Sequence, residues 1–304
     1  MGVNMIYTVT WNPALDYILH VEHLTKGKIQ RTKREELYPG GKGINVSFVL
    51  SEFGIKNIAM GFLAGFTGRE IERLLTDKGC ETKFIYTKEG MSRINVKIRD
   101  NEETDLNASG PVIAKENIEE MMSLISNLKK DDFLVLAGSI PPTLNSDTYE
   151  KILESLASKG VKTIVDAEGD LLRKVLPFHP FLIKPNEEEL KELFSVDITK
   201  SEEVIYYAEK LQELGARNVL VSLGEKGAIL VTEQKEAYQM EATKGEVKNT
   251  VGAGDSMLAG FLAGYLKTGS YQKAFELSVQ TGSASAFSNW LPTKEQYPQI
   301  FMDK

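Results

Sequence analysis

Phe133-Leu134-Val135-Leu136-Ala137 is an unbroken apolar run. Strands buried on both faces of a parallel sheet have this character. Tyr149, Ile152, Leu153 and Leu156 follow on one helical face, and Gly160 is placed to end that helix. Thr163-Ile164-Val165-Asp166 then returns to a strand. The same alternation extends outward in both directions. Ile6 to Thr10, Phe181 to Lys184 and Asn218 to Ser222 read as further strands. Val46, Val49, Leu50 and Phe53 form a helical face ended by Gly54, and Leu258, Phe261, Leu262 and Tyr265 form another ended by Gly269. Strand–helix alternation of this kind predicts an α/β fold: a doubly wound, mainly parallel sheet flanked by helices. The 304 residues are taken as a single domain, 1–304.

Two stretches break the rhythm. Residues 16–38 mix β-formers and charges without a helical face. Residues 91–107 read as a hairpin, in which Ile94, Val96 and Ile98 alternate with polar residues and a polar turn leads to Glu103-Thr104-Asp105-Leu106. Such alternation marks strands with one covered face. Together they predict a small β-sheet apart from the main one, a lid over the C-terminal strand ends where open α/β sheets place ligands. Its bare face is alternatively a surface for a second subunit.

A net charge of −7 argues against nucleic acid as the partner, since such proteins carry basic surfaces. An anionic substrate must be held by local cations. The lone Cys80 makes no internal disulfide, and no run has spanning length, so the expectation is a cytoplasmic protein with no membrane partner.

Asn249-Thr250-Val251-Gly252-Ala253-Gly254-Asp255-Ser256 opens the helix that carries Leu258. Small residues let backbone N–H groups of Gly252, Ala253 and Gly254 approach a phosphate, and Asp255 stands where a base could take the proton of an attacking hydroxyl. That is the chemistry of phosphoryl transfer from a nucleotide to an alcohol. A simple helix start, with an acid complementing the dipole, is the plain alternative. Pro39-Gly40-Gly41-Lys42-Gly43-Ile44-Asn45-Val46 also leads into a helix. It is neither a Walker A loop nor a dinucleotide fingerprint. Its glycines suit close approach to a polyhydroxyl ligand, with Lys42 and Asn45 as donors. In Lys184-Pro185-Asn186-Glu187-Glu188-Glu189, Asn186 and Glu189 have capping-box spacing and equally suit a water-mediated Mg²⁺. Ser222-Leu223-Gly224-Glu225-Lys226-Gly227 is a tight turn or a nucleotide-lining loop, and Asp16 is a turn carboxylate or an acceptor for sugar hydroxyls.

Taken together, these motifs resemble the PfkB branch of the ribokinase-like carbohydrate kinases, in order and spacing along essentially the whole chain. Within it the chain is similar to bacterial 1-phosphofructokinases, on Tyr7 to Thr10, Tyr38 to Val46, Ser92 to Lys97 and Leu136-Ala137-Gly138-Ser139-Ile140-Pro141. Tagatose-6-phosphate kinases are a close second. The resemblance implies a ribokinase-like fold, ATP and Mg²⁺ as cofactors, and conversion of D-fructose 1-phosphate to fructose 1,6-bisphosphate. Tagatose 6-phosphate and fructose 6-phosphate are alternative acceptors, and a sugar-phosphate sensor without catalysis is the non-enzyme alternative. It further implies Asp255 as base and Gly252, Ala253 and Gly254 as anion hole. Asp16, Gly40, Gly41, Asn45 and Ser139 would bind the acceptor, with Lys42 and Arg93 on its existing phosphate. Lys184, Asn186, Ser222, Gly224, Gly227 and Thr250 would line the nucleotide, with Asn186 and Glu189 near the metal, and lids would pair into a homodimer. Three positions depart from the family pattern. Trp11 replaces leucine and Phe48 replaces arginine, both expected beside the sugar pocket, and Glu168 replaces serine in Asp166-Ala167-Glu168-Gly169.

Overall fold

The computed structural model describes residues 4–141 and 144–301. Its strands are β1 (Ile6–Thr10), β2 (Ala14–His20), β3 (Arg34–Gly40), β4 (Asn57–Leu63), β5 (Glu81–Tyr86), β6 (Arg93–Arg99), β7 (Glu103–Asn107), β8 (Phe133–Ala137), β9 (Lys162–Asp166), β10 (Leu182–Ile183), β11 (Asn218–Ser222), β12 (Ala228–Val231) and β13 (Ala237–Met240). The helices are α1 (Lys42–Glu52), α2 (Gly65–Thr76), α3 (Lys115–Ser126), α4 (Thr148–Leu156), α5 (Gly169–Val175), α6 (Glu187–Phe194), α7 (Ser201–Glu213), α8 (Ala253–Thr268), α9 (Tyr271–Ala286) and α10 (Pro298–Phe301).

Nine strands form the main sheet in the order β13-β12-β11-β10-β9-β8-β1-β4-β5. Every pairing from β5 to β11 is parallel, and β12 and β13 add an antiparallel edge. One face packs on α3 to α7, with Tyr149, Leu172, Leu190 and Leu211 in its core. The other packs on α1, α2, α8 and α9, with Ile44, Leu50, Leu258 and Phe275. This is the doubly wound, mainly parallel architecture expected. Among the described residues no helix is long and apolar enough to cross a membrane.

The five expected main-sheet strands are present, but β10 is only Leu182–Ile183. Pro180 and Pro185 flank it, and proline has no N–H for the ladder. The C-cap of α4 is Ala157 rather than Gly160, which lies in the turn beyond at φ +69°. The order of the sheet reverses beside β1, between β8 and β4. A crevice at the carboxyl ends of these strands follows from that reversal.

The smaller sheet has the order β3-β2-β6-β7. Its β2–β6 pairing is parallel and its other two are antiparallel. The register puts Asp16, Ile18, Tyr38, Asn95, Lys97 and Arg99 on one face, and Tyr17, Leu37, Val96, Ile98 and Leu106 on the other. The covered face is the polar one. Asn95 and Lys97 are buried, whereas Leu106 is 57% and Leu37 is 38% exposed. The alternation in 93–99 therefore runs opposite to the usual apolar-in pattern, because this sheet faces a polar crevice rather than a core.

Candidate active site

Two helix N-termini meet at the crevice. Thr10, the last residue of β1, accepts a hydrogen bond from the Ile44 N–H at 2.9 Å and so seats α1. Seating it this closely requires glycine. A Cβ on Gly41 would lie 2.5 Å from Thr10 Cγ2, one on Gly43 2.7 Å from Thr10 Oγ1, and one on Gly40 2.5 Å from Asp16 Oδ2. The glycine block thus lets α1 begin under Asp16 and present Asn45 in its first turn. On the opposite side Gly252, at φ +82°, caps α8 and places Asp255 in that helix's first turn. Asn45 Nδ2 donates to Asp255 Oδ2 at 2.8 Å.

Asp255 is 6% exposed. Burial pushes its pKa up, to about 6, and the charge of Asp166 pushes the same way, while Asn45, Lys184 and Lys42 oppose. Desolvation dominates because a carboxylate loses its water there. Asp166, at the end of β9, lies 3.4 Å from Lys184 Nζ and 3.6 Å from Lys42 Nζ. Neither of its oxygens accepts a hydrogen bond. A Cβ on Gly254 would meet Lys184 Nζ at 3.0 Å, so that ammonium stands against the start of α8. Burial alone would lower the Lys42 pKa, but Asp166, Asp255, Glu168 and Glu189 outweigh it and raise it. The centre therefore combines two lysines, a surplus of buried carboxylate, and the positive ends of two helices.

The small sheet closes one side. Asn95 Nδ2 donates to Asp16 Oδ1 at 2.8 Å. Burial raises the Asp16 pKa, against Asn95, Lys97 and Arg93. A narrow pocket here is lined by Asp16, Tyr38, Asn45, Lys97, Asn249 and Trp290, among others. The Tyr38 ring stacks on Trp290 at 4.9 Å and 9°, tying the small sheet to the body. Arg93 is half-buried, and its Nε donates to the Asn12 carbonyl at 3.0 Å. A second, larger cavity of about 560 Å³ is walled in part by Lys42, Ser139 and Glu168.

Several expectations need adjusting. The Ala253 N–H is already donated to the Thr250 carbonyl at 3.2 Å, whereas the Gly252, Gly254 and Asp255 N–H groups have no hydrogen-bond partner among the described residues. Thr250 itself is exposed. Asn186 and Glu189 form a complete capping box: Glu189 Oε2 accepts from the Asn186 N–H at 3.0 Å, Oε1 from Asn186 Nδ2 at 2.8 Å, and Asn186 Oδ1 from the Glu189 N–H at 2.8 Å. Among the described residues no group of three or more His, Cys, Asp and Glu is arranged to hold a metal directly. Burial raises the Glu189 pKa, and Asp166 and Glu168 add to the rise. A hydrated Mg²⁺ fits this excess of carboxylate, held through water rather than by direct ligation.

Ser222 is bridged to Asn186, so β10 and β11 bring the two expected nucleotide segments together. Gly224 lies in the exposed turn that follows. Gly227 has a packing reason to be glycine, since a Cβ there would lie 2.0 Å from the Met240 carbonyl oxygen. Trp11, expected beside the sugar, does not line the narrow pocket. It is 2% exposed in the core, 5.8 Å from Phe62 and 6.1 Å from Tyr149. Phe48 is also buried and touches the pocket only through Trp290, at 4.6 Å. Asp166, Asn95, Lys97 and Trp290 were not singled out in the sequence as site residues.

A buried carboxylate at a helix start, lysines beside it and a polar sheet above it define a carbohydrate-kinase type of site. Residues 9–289 match the family described as pfkB family carbohydrate kinase, and the chain belongs to that family. It is 45% identical to a 1-phosphofructokinase of Bacillus subtilis over 97% of each chain. It is 38% identical to a D-tagatose-1-phosphate kinase of Bacillus licheniformis over 94% of each. The phosphofructokinase-2 of Escherichia coli, solved in complex with fructose-6-phosphate, superposes with a TM-score of 0.90 at 25% identity, covering 99% of this chain and 98% of that one.

Proposed function

We propose that this chain transfers the γ-phosphoryl group of ATP to a ketose phosphate, with D-fructose 1-phosphate as acceptor and fructose 1,6-bisphosphate as product. The observation that carries the proposal is Asp255, buried at the mouth of α8, held by Asn45 and surrounded by Lys42, Lys184 and Asp166. Asn45 fixes one carboxylate oxygen, which leaves the other for the acceptor hydroxyl. Asp255 takes the hydroxyl proton as the phosphoryl group moves in line. The Gly254 and Asp255 N–H groups and Lys184 stabilise charge on the migrating group. Asp16 accepts hydrogen bonds from the sugar, Lys42, Arg93 and Ser139 hold its phosphate, and Ser222 and Gly224 flank the nucleotide. Mg²⁺ would sit by Asn186, Glu189 and Asp166 and neutralise nucleotide phosphate charge. The small sheet acts as a lid that keeps water from the γ-phosphoryl group.

The test is ADP release measured side by side with fructose 1-phosphate, tagatose 1-phosphate, tagatose 6-phosphate and fructose 6-phosphate, with ribose as control. Fructose 1-phosphate should give the highest kcat/KM. Tagatose 1-phosphate is in the panel because a relative 38% identical to this chain is a D-tagatose-1-phosphate kinase. Binding without ADP release for every sugar would make the chain a sensor instead.

The outward face of the lid supports a homodimer. Tyr17, Leu37, Val96, Ile98 and Leu106 share that face, and Leu37 and Leu106 are exposed on it. Sedimentation velocity should find a dimer at micromolar concentration that Leu106→Asp splits. A monomer in both cases removes the pairing.

A further inference from the structure

Lys42 already has an anionic partner that phosphoryl transfer does not require. Its Nζ lies 3.5 Å from Glu168 Oε1 and 3.6 Å from Asp166 Oδ1. The two carboxylates differ in kind. The Asp166 side chain is 2% exposed and also meets Lys184, so it belongs to the floor of the site. The Glu168 side chain is 65% exposed and stands on the wall of the large cavity, with Lys42 and Ser139. Glu168 occupies the N-cap position of α5 but makes no capping hydrogen bond. Its carboxylate reaches Lys42 instead. A phosphate on Lys42 would therefore find that ammonium taken, and a like charge beside it.

We infer that Glu168 tunes affinity for the acceptor's phosphate, a built-in competitor that occupies Lys42 until that phosphate displaces it. This rests on the reading of Lys42 as a ligand of that phosphate. A phosphoryl dianion brings two charges and three acceptor oxygens, which suffices to displace one solvated carboxylate. A neutral sugar brings neither and leaves the pair closed. The competition therefore weakens binding of phosphorylated sugars and leaves neutral sugars, which make no use of Lys42, unaffected.

Glu168→Gln keeps the side-chain length and removes the charge, and its exposure spares the fold. The KM for the ketose phosphate should fall about 1.5- to 5-fold, the range expected for one partly exposed charge pair. The Ki of inorganic phosphate, as a competitor of the sugar phosphate, should fall by the same factor, and the KM for ATP should not move. An unchanged or higher sugar-phosphate KM overturns the inference. So does a raised Mg²⁺ requirement at constant sugar-phosphate KM, which would assign the carboxylate to the metal. If the unmodified chain turns over no ketose phosphate, the kinase reading fails separately, and calorimetry with inorganic phosphate takes over. Tighter phosphate binding by Glu168→Gln then supports the competition, and equal binding overturns it.

Discussion

Asp255→Asn is expected to slow turnover by roughly 10²- to 10⁴-fold, the range in which a general base contributes. The amide keeps an oxygen for Asn45 and differs little in shape, so the KM values should change far less than kcat. The pH dependence gives an independent check. The base acts only when ionised, so kcat/KM should rise with pH through a limb near the folded-state pKa of about 6. Asp166→Asn removes a charge that raises this pKa, and should move the limb to lower pH. The sign for stability is the reverse of that for activity. The folded state holds the Asp255 proton more tightly than the unfolded chain does. Stability contributed by this group is therefore lost as pH rises from the ordinary Asp value to about 6, and stays lost above it. At neutral pH Asp255→Asn should match or exceed the parent in thermal midpoint while losing activity. Near-normal turnover in the purified variant would remove Asp255 as the base.

Arg93→Ala should raise the KM for the ketose phosphate by about 10- to 100-fold, the loss expected for charge-assisted bonds of about 1.5–3 kcal/mol. The guanidinium is poised on the covered face of β6, with Nε fixed on the Asn12 carbonyl and the remaining N–H groups available. Burial lowers its pKa and Asp16 partly restores it, so it is a cation already stripped of much of its water. Such a cation binds an anion more strongly than a solvated one. The KM for ATP should stay within about 2-fold, since the segments proposed for the nucleotide lie on other elements. Arg93→Lys should recover only part of the loss, because a point charge lacks the planar fork. Equal shifts in both KM values would place Arg93 in the scaffold instead.

What could be read in the sequence follows from where the physics is local. The apolar runs at Phe133–Ala137 and Asn218–Ser222 are strands because both faces are buried, and periodicity suffices to find them. Strand β4 escaped, since Gly61 interrupts its pattern. The glycine is there because a Cβ would lie 2.1 Å from the Thr10 carbonyl oxygen, a contact that only the folded sheet creates. Asp255, Asn45 and Lys42 sit in helix-opening strings and carry a local signal. Asp166 does not. It is one acid at the end of an apolar run, and its weight comes from Lys42, which arrives from α1, and Lys184, which follows β10. Lys97 was hidden by a period-two pattern that reads equally well with either face inward. The spacing of Asn186 and Glu189 was legible, but a capping box and a metal-associated pair share it, and the hydrogen bonds formed are those of the cap.

Trp290 has a practical consequence. The chain has two tryptophans, and Trp11 is locked in the core. Trp290 alone touches the lid, through Tyr38. Its emission should therefore report, without an attached dye, whether the small sheet shifts against the body when a sugar binds. An unchanged spectrum on rapid mixing with each sugar would count against a moving lid.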